Sequence, residues 1–478
     1  MEKTAYCFLI RQTICRNDSG IFIIYLIKRR REIMSEQNKQ SWGKLTVLGL
    51  QHMFAMFGAT VLVPLLTGLS PAVALFCAGA GTILFYFITK RKVPVFLGSS
   101  FSFIASIVLA AATCAGGDLA ATFKQGFAAS GYDSIGYMFA GGSEIIKNPD
   151  YLAALPYATG GIIVAGALYL VLALLVGIFG AERVKSFFPP VVTGPVILII
   201  GLMLAPVALS YMTSGVSWII AVTVVATVFI VSLFFKGFFK MVPVLFGLIV
   251  GYLVSMGFQI VDFTEIQEAR FLALPEFFLP KFSWQAILIV APISIVTFVE
   301  HIGDITANGA VVGKDFVKDP GLHRTLIGDG LATMLAGAIG GPSNTTYSEN
   351  TGVLAATRNY NPLALVIAAI FAIIMSFIGK FAAFLNSIPG PVIGGLSIVL
   401  FGMIGAVGLR TLVENKVDLK NTRNMLIVGV MLVVALGGAA IPINPDAGLF
   451  FQGYGLSAII GIILNKVLPE RFGRDEAA

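Results

Sequence analysis

Four acidic residues stand inside stretches otherwise too apolar to carry charge: Glu300, Asp304, Asp329 and Glu349. Glu300 and Asp304 are four apart in VEHIGDITANGAVV, so on a helix they share one face, one turn apart. His301 points about a quarter-turn away. Two carboxylates in a low-dielectric setting repel each other and resist joint ionisation, so such a face can hold and exchange a proton. The plainer use of the same residues is a polar seam sealed between helices. The sharper use is a face that holds a ligand. Glu349 lies in GGPSNTTYSENTGVLAATR, where the β-branched, hydroxyl-rich run from Asn344 to Ser348 suits an extended strand. Helix resumes near Glu349 or Asn350, with Glu349 in its first turn. A phosphate loop is a poor rival, because the Gly-Lys-Ser/Thr ending is missing and the carboxylates would repel phosphate. Asp329, in IGDGLATM, reads as an interfacial cap near the inner end of its span, with His323 and Arg324 in the preceding loop.

The chain that must position these residues has 478 residues, 57% hydrophobic and 12% charged, with a mean hydropathy of +0.89. Soluble domains carry about 25% charged residues, so there is too little charge here to wet a globular surface. A soluble enzyme, a disordered chain and a nucleic-acid binder all fit poorly. The net charge of +7 is what inward-facing loops give a membrane protein, and nucleic acid is not an expected partner. Cys7, Cys15, Cys77 and Cys114 have neither metal-ligand spacing nor a disulfide framework. With no nucleophile–base pair, metal cluster or cofactor loop in the sequence, the expectation is a non-enzyme without cofactor or metal, seated in a lipid bilayer.

A hydrocarbon core of about 30 Å takes roughly 20 apolar residues per helix, and that ruler predicts fourteen spans. The third (96–113) and tenth (343–357) each open with a polar stretch before turning apolar. With the N-terminus inside, the inner loops hold fifteen basic and five acidic residues, and the outer loops five basic and nine acidic. That bias predicts both termini inside. All 32 basic residues then fall in loops or tails, so every charge left in the spans is one of the four acids. Intramembrane ionisable groups mark a substrate or ion pathway. Residues 1–33 carry KRRRE after an apolar run too short to span, and the expectation is a start-site artefact with Met34 as initiator. The 115–155 stretch is a long outer loop without a functional reading. FFPPVVTGPV, Phe187 to Val196, reads as a kinked helix.

The third segment repeats the plan of the tenth: Pro94, then Gly98-Ser99-Ser100-Phe101-Ser102, then helix. Two broken spans seven segments apart point to a transporter site built on an inverted repeat. Extended backbone at membrane depth must be paired or line a cavity, so the two short strands are expected to pair. Their half-helix N-termini would then offer free N–H groups at the midplane. The predicted fold is an all-α polytopic membrane protein of 7+7 inverted segments, with short antiparallel strands in segments 3 and 10.

ENTGVLAATR, Glu349 to Arg358, fits the signature of the nucleobase–ascorbate transporter family. LQHMFAMFGATVLVP, FLGSSFSF, VEHIGD, KDPGLHR and NTTYSENTGV resemble its bacterial uracil permease branch, and the likeness covers residues 44–468. The resemblance implies core segments 1–4 (44–180) and 8–11 (284–386), and gate segments 5–7 (181–260) and 12–14 (387–468). The tails are 1–43 and 469–478. It implies a bacterial cytoplasmic membrane, a homodimer, and proton symport of uracil by movement of core against gate. It assigns substrate contact to Glu300 and Glu349, backbone contacts at Phe101 and Ser348, and pocket lining to Ala59 and Tyr347. Glu at the head of the signature favours uracil over the purine and ascorbate branches. Two departures stand out. Asp304 occupies a position where uracil carriers have His, which leaves xanthine or a broader nucleobase range open. Asp304, Glu300 and His52 are the candidates for the proton, with Asp304 either taking it or orienting His52. Ser348 replaces a frequent Gly. An anion exchanger of similar architecture fits less well, since such a site should carry a basic residue.

Overall fold

The computed structural model describes residues 41–115, 142–444 and 449–469. The tail before residue 41 with its expected start at Met34, most of the 115–155 loop, and the residues from 470 onward lie outside the described residues. Apolar runs of membrane length make the helices, and proline and Asn/Ser residues set where they start. The first is α1 (Trp42–Thr67), capped by the Ser41 hydroxyl and ended by Gly68 at φ 73°. Then come α2 (Pro71–Ile88), β1 (Leu97–Ser99), a short 3-10 turn (Phe101–Phe103), α3 (Ile104–Cys114) and the long α4 (Pro149–Phe179). Asn148 caps α4, and proline opens both α2 and α4 at a position whose N–H would be unsatisfied anyway.

The next block comprises α5 (Ala181–Lys185), α6 (Pro190–Met203), α7 (Ala205–Ser210), α8 (Gly215–Phe234), α9 (Pro243–Gly257) and α10 (Thr264–Glu268). The run of acids and apolar residues then gives α11 (Trp284–Val290), α12 (Ile293–Val312), α13 (Leu322–Ala338), β2 (Asn344–Thr346), α14 (Ser348–Thr357) and α15 (Pro362–Ser376). The eighth expected span is therefore two helices meeting at Ala291-Pro292, where proline removes a donor and turns the axis. The chain closes with α16 (Gly379–Asn386), α17 (Gly390–Glu414), α18 (Thr422–Leu436), the hairpin β3 (Ala440–Asn444) and β4 (Leu449–Gln452), and α19 (Gly453–Val467). Seven helical stretches among the described residues are long and apolar enough to cross a bilayer, and five apolar helices are shorter. Their outer faces are rich in bare apolar side chains, as on α8 with Trp218, Val222, Phe229 and Leu233. That is a surface made for lipid.

Close helix approach is bought by missing side chains. A Cβ on Gly330 of α13 would meet the Gly166 carbonyl of α4 at 2.9 Å, and one on Gly408 of α17 would meet the Gly194 carbonyl of α6 at 2.7 Å. Both helix pairs therefore pack backbone to backbone. Centrally, β1 and β2 pair antiparallel, with Leu97 opposite Thr346, Gly98 opposite Thr345 and Ser99 opposite Asn344. The ladder continues at each end through Ser100 N–H to the Ser343 carbonyl (2.8 Å) and Tyr347 N–H to the Phe96 carbonyl (3.0 Å). Both strands are fully buried, and every backbone donor matched there removes a polar group from an apolar interior.

Candidate substrate site

The strand pair brings the starts of two helices together, and α12 lies across them. Glu300 and Asp304 share a face of α12, as their spacing requires. Each meets a hydroxyl from a different strand–helix unit. Ser102, in the turn after β1, donates to Glu300 Oε2 at 3.0 Å. Thr346, at the end of β2, donates to Asp304 Oδ2 at 2.8 Å. Both carboxylates are half-buried, so each keeps accepting capacity beyond the bond from its hydroxyl. Glu349 sits half-buried in the first turn of α14, where the helix dipole favours a negative charge, and Ser348 beside it is exposed.

The walls come from the neighbours. Tyr347 is buried and donates its phenol to the Ser99 carbonyl (2.8 Å), while the Ser99 hydroxyl donates to the Thr60 carbonyl of α1 (3.0 Å). Gly98 has no room for a side chain, because a Cβ there would land on the Tyr347 ring. Ala59 is buried on α1, and Phe101 is buried edge-on against Phe401 of α17, centroids 6.0 Å apart. Asn308, one turn beyond Asp304, donates to the Pro94 carbonyl (2.9 Å) and to Thr351 Oγ1 (3.2 Å). One amide thus ties α12 to α14 and to the segment entering β1. A separate cavity of about 410 Å³, lined by none of Glu300, Asp304 and Glu349, lies against Ile305, Thr306, Gly309, Ala310 and Lys314, with Lys185 beside it.

Three expectations need correction. Asp329 is no interfacial cap: it is fully buried within α13, its Oδ2 3.1 Å from His301 Nδ1. His301 Nε2 stands 2.9 Å from Thr325 Oγ1, whose hydroxyl is donated to the Leu322 carbonyl. A carboxylate sealed this way is compensated by the imidazolium or neutralised by its own proton, and either way the pair carries no net charge. Second, His52 does not pair with Asp304. It is buried on α1 and takes Asn350 as partner, whose amide lies 3.2 Å from His52 Nδ1 and 3.0 Å from its carbonyl. Third, His323 and Arg324 belong to the first turn of α13, with Arg324 donating to the Ile88 carbonyl at 3.3 Å. The 344–346 stretch is a paired strand, which disposes of a phosphate loop. Sequence reasoning missed Ser102, Thr346, Asn308 and Asn350 as site members. Asn308 was signalled as a polar residue within a span, whereas Ser102, Thr346 and Asn350 lie in stretches already rich in polar residues.

Residues 43–444 match the family model described as "Permease family". The uracil permease of Bacillus caldolyticus is 39% identical over 461 residues, covering 94% of this chain and 96% of the relative. That of Bacillus subtilis strain 168 is 41% identical, covering 88% and 92%, and that of Escherichia coli K12 is 37% identical, covering 88% and 90%. Among solved structures, the transmembrane domain of a cyanobacterial bicarbonate transporter, BicA, aligns with TM-score 0.54 at 13% identity, covering 88% of this chain and 97% of that one. SLC26A9 aligns with TM-score 0.60 at 13% identity, covering 94% and 70%. At such low identity these two share the fold alone. The sequence relatives are permeases rather than enzymes, and the chain is a multi-pass membrane protein belonging to the nucleobase–ascorbate transporter family.

Proposed function

We propose that this protein imports uracil across a bacterial cytoplasmic membrane together with a proton. The observation that carries the reading is the convergence of Glu300, Asp304 and Glu349 where the strand pair and α12 meet. Uracil is a flat neutral ring whose edge alternates N–H donors with carbonyl acceptors. Glu300 and Glu349 accept from its N–H groups, and backbone N–H groups near Phe101 and Ser348 donate to its carbonyls. Ala59 and Tyr347 flank the ring. A site that pairs every polar edge atom rejects rings that leave its buried groups unmatched. The uracil permeases named above support this substrate.

Seven long apolar stretches and five shorter ones, together with α13 and α14, supply fourteen segments. We read them as inverted sevens, with the β1 and β2 units as the two broken segments. Residues 44–180 and 284–386 form the core, and 181–260 and 387–468 the gate. Both termini are inside, the proton rides on Asp304 or Glu300 with His52 close to Glu349's helix, and the protein works as a homodimer in lipid. One inward proton gains about 2.3 kcal/mol per 100 mV, enough for tens-fold accumulation of a neutral base. Asp304 one turn after Glu300 favours a second reading, a xanthine or broader nucleobase range. Uptake of radiolabelled uracil into a transport-deficient host, with xanthine as competitor and an uncoupler, tests both. Uracil must enter, and the uncoupler must abolish accumulation. Failure of uracil to enter overturns the reading.

A further inference from the structure

We propose that the turn joining α8 to α9 binds the headgroup of an anionic phospholipid and thereby sets the contact between this turn and α1. Residues 234–240 read FFKGFFK. Phe234, Phe235 and Phe239 are 75%, 43% and 50% exposed, and Lys236 and Lys240 are exposed among them. The rings hold one another in place: Phe235 lies 6.2 Å from Phe239, Phe239 lies 6.0 Å from Phe238 and 5.7 Å from Phe246 of α9. Gly237 turns the chain at φ +66°, a conformation other residues adopt only under strain.

Charge singles this turn out. No acidic residue occurs anywhere from 183 to 261, while Arg183, Lys185, Lys236 and Lys240 all do. Several other cations on the described surface do have partners: Lys92 meets Asp319, Arg423 meets Asn465 and the Leu468 carbonyl, and Arg324 meets the Ile88 carbonyl. Lys236 and Lys240 have no carboxylate partner among the described residues. Two uncompensated ammonium groups call for an anion. The exposed Phe234, Phe235 and Leu233 beside them favour one that carries acyl chains, since a free phosphate gains nothing from bare apolar surface. The turn also reaches the site's own scaffold. Phe238 packs edge-on against Phe54 of α1, centroids 6.2 Å apart, two residues from His52. Under the core-and-gate reading above, that ring pair is a gate-to-core contact, and a lipid held at Lys236 and Lys240 steadies it.

The binding claim is tested on the delipidated, purified chain by native mass spectrometry with phosphatidylglycerol or phosphatidylcholine added back. Wild-type protein should retain phosphatidylglycerol in preference, and K236Q/K240Q should lose about thirtyfold in that affinity, with phosphatidylcholine unaffected. Equal retention by the variant overturns the proposal. So does displacement of the lipid by glycerol 3-phosphate alone, which would make this a free-anion site. In proteoliposomes, phosphatidylglycerol should speed uracil uptake by the wild type and not by the variant, the two being equal in phosphatidylcholine. Uracil failing to enter liposomes of any composition would sink the transport reading while leaving the binding result standing. Uptake that responds to phosphatidylglycerol identically in both proteins sinks the lipid proposal and spares the transport reading.

Discussion

The two faces of α12 put acidic residues to opposite uses. One face presents Glu300 and Asp304, half-buried, each given a single hydroxyl by a different strand–helix unit. The other presents His301 to Asp329 with both side chains at zero exposure, closed further by Thr325. The open face keeps hydrogen-bonding capacity, which under the proposed function serves uracil. The sealed face turns its histidine onto an acid of the neighbouring helix, holding α12 to α13. An unpaired charge in an apolar interior is tolerated only where something else is about to pair it. The bicarbonate transporter domain shares this fold, so the fold by itself does not specify a substrate.

This difference can be broken by mutation. The largest effect on transport is expected at the open face. Glu300→Gln and Glu349→Gln should each lower uracil uptake by at least about a hundredfold at unchanged expression and melting temperature. The largest effect on stability is expected at the sealed face. His301→Ala leaves the Asp329 carboxyl without compensation and should cost about 3–5 kcal/mol, seen as a lower melting temperature in detergent. Asp329→Asn keeps a neutral pair and should melt closer to wild type. If Glu300→Gln instead melted early while His301→Ala transported normally, the assignment of the two faces would be reversed.

Smaller effects sharpen the picture. Ser102→Ala and Thr346→Ala each remove one donor from an open-face carboxylate, about 1 kcal/mol or fivefold in KM or maximal rate. Which constant moves separates the roles: Ser102→Ala should raise KM through Glu300, and Thr346→Ala should alter the pH profile through Asp304. The smallest effect belongs to Lys92–Asp319, an exposed pair 2.5 Å long joining the loops before β1 and α13. The hydrogen bond from Lys92 holds the Asp319 carboxyl below the usual carboxylate range. Its contribution is therefore present at neutral pH and fades only as pH falls through that lowered value. Lys92→Gln should leave the melting curve at neutral pH almost unchanged.

The strands at 97–99 and 344–346 were legible because Ser, Thr and Asn next to Gly and Pro suit extended backbone, and because such backbone inside a membrane must find a partner. The shared face of Glu300 and Asp304 was legible from helical spacing. What stayed hidden was which polar residues meet across helices. Asp329 lies twenty-eight positions from His301, and nothing in IGDGLATM tells that a histidine one helix earlier is turned toward it. His52 was matched to Asp304 on chemical type alone, whereas the turn of α14 delivers Asn350 to it. Ser102 and Thr346 are ordinary hydroxyls until the strand pair carries them to α12. Such meetings are set by packing, to which periodicity is blind.

The most direct test is binding of radiolabelled uracil to purified wild-type, Glu300→Gln and Glu349→Gln protein, with His301→Gln as the sealed-face control. The account predicts saturable binding by wild type and, at lower stability, by His301→Gln, and its loss in both glutamate variants. Uracil binding that survives in either folded glutamate variant would contradict it.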